Sequence, residues 1–175
     1  MKPMWSPWRS VHIERSTNNN DSDEQESPSL FARLTAEDND EDNLILWRGE
    51  HVFVIMNRYP YNNGHLMVVP FREVADYEAL TTEEQIAIAH TLERAIRWLK
   101  QALKPEGFNV GMNLGAAAGA GIPRHLHVHI VPRWSGDTNF MPAIGEVKVI
   151  PEALHTTYAK LRAAIETIAE NTANM

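Results

Sequence analysis

Hydrophobic residues recur along this chain at two spacings, every second position and every third or fourth, which separates strands from helices. Alternation is clearest at His125-Leu126-His127-Val128-His129-Ile130-Val131, where histidine and aliphatic residues take turns until Pro132 closes the run. The pattern predicts a strand with Leu126, Val128 and Ile130 on a buried face and His125, His127 and His129 together on the other. At a rise of ~3.3 Å per residue, neighbouring rings on that face would sit ~6.5–7 Å apart. The aliphatic row sets the register, because a slip of one residue would expose it.

Shorter β-rich runs stand upstream. Residues 43–47 and 51–57 flank Arg48-Gly49-Glu50 and predict a hairpin. A third strand follows over 64–69, ended by Pro70, and a fourth over 108–113. Helical spacing appears after Thr81-Thr82-Glu83-Glu84-Gln85, which has capping-box form. The helix it opens, 82–103, lines up Ile88, Leu92, Ala95 and Leu99. Its off-stripe apolar residues Ile86, Ile96 and Trp98 predict a second buried face. A final helix from about Pro151 carries Leu154, Tyr158, Leu161, Ile165 and Ile168, and a short one is expected over 29–34. Five strands, one long central helix and a C-terminal helix make an α+β domain with an antiparallel sheet, one domain across residues 1–175.

Composition narrows the picture. With 175 residues, 43% hydrophobic content and no cysteine, the chain reads as a globular protein without disulfides, expected in the reducing cytoplasm. No apolar run reaches the ~20 residues of a membrane span. The net charge of −7 is concentrated: residues 21–42 hold nine acids and one base. The rest of the chain is nearly neutral, without the basic patch that nucleic-acid binding needs. Residues 15–28, polar and acidic, predict a flexible loop. The start of the chain, with Trp5 and Trp8 among prolines, predicts a segment docked on the body or on a partner subunit.

Three imidazoles on one face suit a metal site or a catalytic row. A metal needs further ligands around it, and no second His cluster or cysteine supplies them. Other features favour catalysis. Residues 115–121, all Gly or Ala, form a loop whose backbone N–H groups can approach an anion closely. His65 opens the third strand, and Asn57 and Asn113 end two others, where they could bind oxygens or simply cap turns. Arg124, Arg133 and Lys148 could offset phosphate charge.

Asn57, His65-Leu-Met-Val-Val-Pro, Asn113, the small-residue loop and His125-x-His127-x-His129-x-x-Pro132-Arg133-Trp134 together resemble the histidine-triad (HIT) superfamily of nucleotide hydrolases and transferases. The tail through Asp137, Asn139, Phe140, Met141 and Pro142, with the Trp-Ser-Pro-Trp-Arg start, looks like its bacterial diadenosine tetraphosphate phosphorylase branch. The resemblance implies a HIT-like fold and a homodimer paired through the long helix. It implies His127 as nucleophile, His129 contacting the phosphate and the departing oxygen, and His65 and His125 ordering the surroundings. Asn113, Gly119, Gly121, Ile122 and Trp134 would bind phosphate or nucleotide, and Asn57 the ribose. Many relatives complete a zinc site with Cys-x-x-Cys and a further His; Ser29, Ala32 and Glu73 stand at the corresponding places here, so no metal is expected. Gly121 stands where relatives often carry Gln or Ser.

The expected reaction is nucleotidyl transfer from a dinucleoside polyphosphate to inorganic phosphate through a nucleotidyl-histidine, with no obligatory cofactor, although a divalent cation could accompany the substrate. The alternatives are a hydrolase of dinucleoside polyphosphates, nucleoside phosphoramidates or AMP conjugates, and a nucleotide-binding module without turnover.

Overall fold

A computed structural model describes residues 27–138 and 150–173. The elements are α1 (Leu30–Ala36), β1 (Ile45–Arg48), β2 (Val52–Met56), β3 (Leu66–Pro70), α2 (Thr82–Leu103), β4 (Gly107–Met112), β5 (Val128–Arg133) and α3 (Leu154–Ala173), with single 3-10 turns at Tyr77–Ala79 and Ala116–Ala118. All strand pairs are antiparallel, in the order β1-β2-β3-β5-β4.

Side-chain alternation gives the sheet two different faces. Val52, Val54, Met56, Leu66, Val68, Val128 and Ile130 point to one side and bury against Ile88, Ala95 and Leu99 of α2 and Leu161 and Ile165 of α3. Each such aliphatic residue contributes ~1.5–3 kcal/mol by leaving water. Phe53, Ile55, Met67 and Val69 point to the other side, where the short helix α1 supplies Phe31 as cover. The histidines lie on this second, thinly covered face.

The long helix begins where the sequence places it. Thr81 accepts from Glu84 N–H at 3.2 Å, and the Glu84 carboxylate accepts from Thr81 N–H at 2.8 Å, completing the capping box. Arg72 pairs with the same buried carboxylate at 2.6 Å, tying the segment after β3 to the helix start. The expected second buried face of α2 is met in part: Trp98 is buried against Trp47, ring centroids 6.1 Å apart, in the core that α2 shares with α3. Ile96 packs against that core too, whereas Ile86 is exposed. The acidic turn before β1 is also partly engaged, with Asp40 paired to Arg48 at 2.6 Å.

Most of the expected acidic loop 15–28, the aromatic N-terminal segment and Lys148 lie outside the described residues, as do Asn139, Phe140, Met141 and Pro142 of the tail. Among the described residues no helix is long and apolar enough to cross a membrane.

Candidate active site

β3 and β5 pair with Met67 opposite His129, which sets His129 on the thinly covered face near the start of β3. His65 immediately precedes β3. It reaches the same face because Gly64 turns the chain in the left-handed region, φ 71°. A Cβ at Gly64 would stand 2.4 Å from Leu103 Cδ1 on a backbone that side chains rarely adopt, so glycine is favoured where α2 ends against this turn. His65 and His129 then meet, Nε2 to Nδ1, at 2.9 Å. The His127 ring lies beside His129, with centroids 4.8 Å apart, and Phe31 places its ring against both His125 and His127. The three triad rings thus share a face, as alternation requires. The strand itself begins only at Val128, so His125 and His127 lie on an extended lead-in rather than in the ladder.

Hydrogen bonds fix the protonation pattern. The Tyr61 backbone N–H can only donate, and it lies 3.1 Å from His65 Nδ1. A neutral His65 therefore carries its proton on Nε2 and donates it to His129 Nδ1. The His129 proton then sits on Nε2, a buried atom with no partner among the described residues. Leaving such a donor unpaired costs ~1–3 kcal/mol, so it marks a place for an incoming acceptor. His127 runs the other way. Its Nδ1–H donates to the His125 carbonyl at 2.8 Å, which leaves the lone pair on Nε2.

Burial keeps these rings neutral. It pushes His65 down to about 3, helped by the adjacent His129 and His127. Burial and then His127 push His129 down to about 4. His125 and His127 are also lowered by burial, against opposing hydrogen bonds to carbonyls. The arrangement can therefore present a neutral nitrogen lone pair and, next to it, a neutral N–H donor.

The other expected residues divide. Asn113 Nδ2 donates to the Gly119 carbonyl at 3.3 Å and so holds the small-residue loop. The backbone N–H groups of Gly121 and Ile122 donate to no backbone acceptor among the described residues. Open space lies where a Gly121 side chain would be. Ile122 packs beside Phe31 and Phe53, and its carbonyl accepts from His125 N–H at 3.2 Å. This loop joins the histidines. Asn57 does not show a free side chain: its Oδ1 accepts from Tyr59 N–H at 2.9 Å and closes a turn. Trp134 is not brought into the cluster. It follows the last residue of β5, and its backbone N–H is held by Asp137 at 3.1 Å. Arg124 and Arg133 are engaged by Glu73 and Asp137, at 2.6 and 2.7 Å.

Two residues that sequence reasoning missed complete the site. Tyr61 stacks on His129 with an interplanar angle of 29° and lies against His65, 4.6 Å between centroids. Phe31 is the other; its contacts, and that of Tyr61 with His129, are non-local. The only hint was an aromatic four residues before His65.

The donor set around His125 does not suit zinc. His125 Nε2–H donates to the Pro70 carbonyl at 2.8 Å and Nδ1 meets Ser29 Oγ at 2.6 Å, so no ring lone pair is left. The Glu73 carboxylate is taken by Ser29 N–H and Arg124. Among the described residues no group of three or more His, Cys, Asp or Glu is placed to hold a metal ion.

A five-stranded antiparallel sheet with three alternating histidines leading into β5 and a fourth just before β3 defines a histidine-triad protein. The family model of the HIT domain matches residues 38–136, and the chain belongs to that family. It is similar to the AP-4-A phosphorylase of Mycobacterium tuberculosis, 42% identical over 157 residues that cover 90% of this chain and 80% of that protein. It is more distantly similar to the bis(5'-adenosyl)-triphosphatase of Saccharomyces cerevisiae, 32% identical over 91 residues, 51% of this chain and 44% of that protein. The fold matches a zinc-bound histidine triad family protein from Mycobacterium smegmatis, TM-score 0.65 at 22% identity, covering 81% of this chain and 94% of that one.

Proposed function

We propose that this chain is a nucleotidyl transferase that cleaves dinucleoside polyphosphates, turning diadenosine tetraphosphate and inorganic phosphate into ADP and ATP. The observation that carries the reading is the fixed proton pattern: His127 with its lone pair on Nε2, beside the unpaired Nε2–H of His129. Nε2 of His127 attacks the phosphorus of the terminal adenylyl group. The N–P bond forms, the bridging P–O bond breaks, and the electron pair leaves on the oxygen of ATP. No base is needed, because a neutral imidazole nitrogen carries no proton to remove. His129 Nε2–H donates to the departing oxygen, and the loop N–H groups at Gly121 and Ile122 face phosphate oxygens. Phosphate oxygen then attacks the adenylyl-histidine, giving ADP and restoring His127. The likeness to the mycobacterial phosphorylase over most of both chains supports phosphate as the acceptor.

A second reading, hydrolysis to AMP and ATP, is favoured by Gly121, which brings no side chain to orient phosphate, and by the likeness to the yeast triphosphatase. Product analysis with diadenosine tetraphosphate and labelled phosphate separates the two. Label in ADP is the expected result. AMP without label would establish the hydrolase, and no cleavage of the dinucleotide would refute both.

The chemistry needs no resident metal, though a divalent cation can travel with the polyphosphate. A homodimer fits the exposed Ile86 on α2 and the exposed Val110 on β4, one of the two outer strands of the sheet. Light scattering after size exclusion tests it. The lack of cysteine supports a cytoplasmic setting.

A further inference from the structure

The nucleophile stands on a piece of chain that the sheet does not hold. Pairing of β5 with β3 and β4 starts at Val128, so neither His125 nor His127 is in a ladder. Three other contacts hold the lead-in. Leu126 N–H donates to the Val74 carbonyl at 2.7 Å, and His125 N–H donates to Ile122. The His125 ring supplies the third, because both of its nitrogens are engaged. Nε2–H donates to the Pro70 carbonyl at the end of β3, which leaves Nδ1 as an acceptor. Among the described residues the partner of Nδ1 is the Ser29 hydroxyl, at 2.6 Å, and it must donate.

Ser29 is itself immobilised. It is the N-cap of α1: its Oγ accepts from Ala32 N–H at 3.2 Å while its hydroxyl proton goes to His125. Its backbone N–H donates to Glu73 at 2.9 Å, and Glu73 is paired to Arg124, the residue before His125. Two residues further on, Phe31 of the same helix lies against both the His125 and His127 rings, 5.4 and 5.3 Å between centroids. A helix of seven residues is therefore bolted to the histidine row at two points.

The geometry points to Ser29 as a positioning residue for nucleotidyl transfer: its hydroxyl locks the His125 ring, and so places the His125 carbonyl that holds His127 with its lone pair on Nε2. The role rests on the function proposed above, but the proton pattern can be read without turnover. Losing the hydroxyl leaves a buried ring nitrogen unpaired, and His125 is then free to flip or change tautomer. A displacement of the carbonyl by a fraction of an ångström loosens the His127 bond.

The test compares Ser29→Gly, Ser29→Ala and Ser29→Thr in the full chain. Glycine is well tolerated at an N-cap, so Ser29→Gly removes the hydroxyl with little loss of helix capping. Threonine keeps the hydroxyl. Imidazole nitrogen NMR of the free protein reads the tautomers of His125 and His127, and steady-state kinetics read the reaction. In Ser29→Gly and Ser29→Ala the His125 Nδ1 resonance is expected to move towards that of an unbonded nitrogen. kcat should fall about tenfold to a hundredfold, with KM changing less than twofold, as for a reacting group held slightly out of place. Ser29→Thr should restore both. The proposal is overturned if Ser29→Gly keeps wild-type kcat and wild-type nitrogen shifts, or if Ser29→Thr is as slow as Ser29→Gly. Should the wild type cleave no dinucleotide, the proposed function fails, and the nitrogen shifts alone decide whether Ser29 sets the tautomers.

Discussion

Burying neutral histidines makes the stability of this fold depend on pH in a window set by imidazole. An unfolded histidine takes up a proton below ~6.5. In the folded protein His65 does so only near about 3 and His129 near about 4. The unfolded chain therefore holds more protons throughout the interval between, and stability rises with pH across it. The contribution is complete above ~6.5 and is lost as the pH falls towards the folded values. Between pH 7 and pH 5 each of the two rings costs about 2 kcal/mol, or about 4 kcal/mol together. The two share a proton-bearing contact and titrate as a pair, so the sum is the quantity to measure. Typical domains have only ~5–15 kcal/mol in total. Urea unfolding at pH 7, 6 and 5 should show the free energy falling by at least this amount, since burial lowers His125 and His127 as well, with an unchanged m-value. Paired carboxylates such as Glu84 and Asp137, lowered chiefly by Arg72 and Arg133, act below ~4.5 and stay out of the window. His65→Gln should remove about 2 kcal/mol of the fall. A free energy that is flat from pH 7 to pH 5 would refute the claim that these rings are buried and neutral.

Three further outcomes follow from the same contacts. His127→Gly should abolish turnover, and gentle quenching of the wild type should trap a nucleotide on the protein; a variant as active as wild type would leave only a binding module. His129→Phe keeps the ring and removes the donor, and should lower kcat by about a hundredfold or more while nucleotide binding, followed by calorimetry, persists. Gly64→Ala combines a left-handed backbone with a 2.4 Å approach to Leu103 and should cost ~1–3 kcal/mol in urea unfolding.

The histidine row was legible because alternation is a local property: Leu126, Val128 and Ile130 needed a core, which decides where the intervening rings go. The capping box at Thr81 was equally local, and α2 starts there. Where the row leaves the ladder was not legible. That depends on how far β3 and β4 reach along β5, a relation among three distant segments. Phe31 was missed for the same reason, since only tertiary packing brings it to the rings; Tyr61 lies four residues before His65 but meets His129 only through the fold. The helix wheel placed Trp98 off the main stripe as buried but not against what, because α3, which joins it in the core, arrives later in the chain. Asn57 had two readings, and the structure shows its oxygen in a turn.

The chain of ring contacts behind His129 ends at the Tyr61 amide, a group that has no proton to spare at any working pH. No proton can therefore be passed forward to the outer nitrogen of His129 from the interior, and giving up its own would leave an imidazolate. That N–H is thus a fixed donor: it steadies the charge on the oxygen that departs, the oxygen leaves as an anion, and the ring is unchanged whichever acceptor follows.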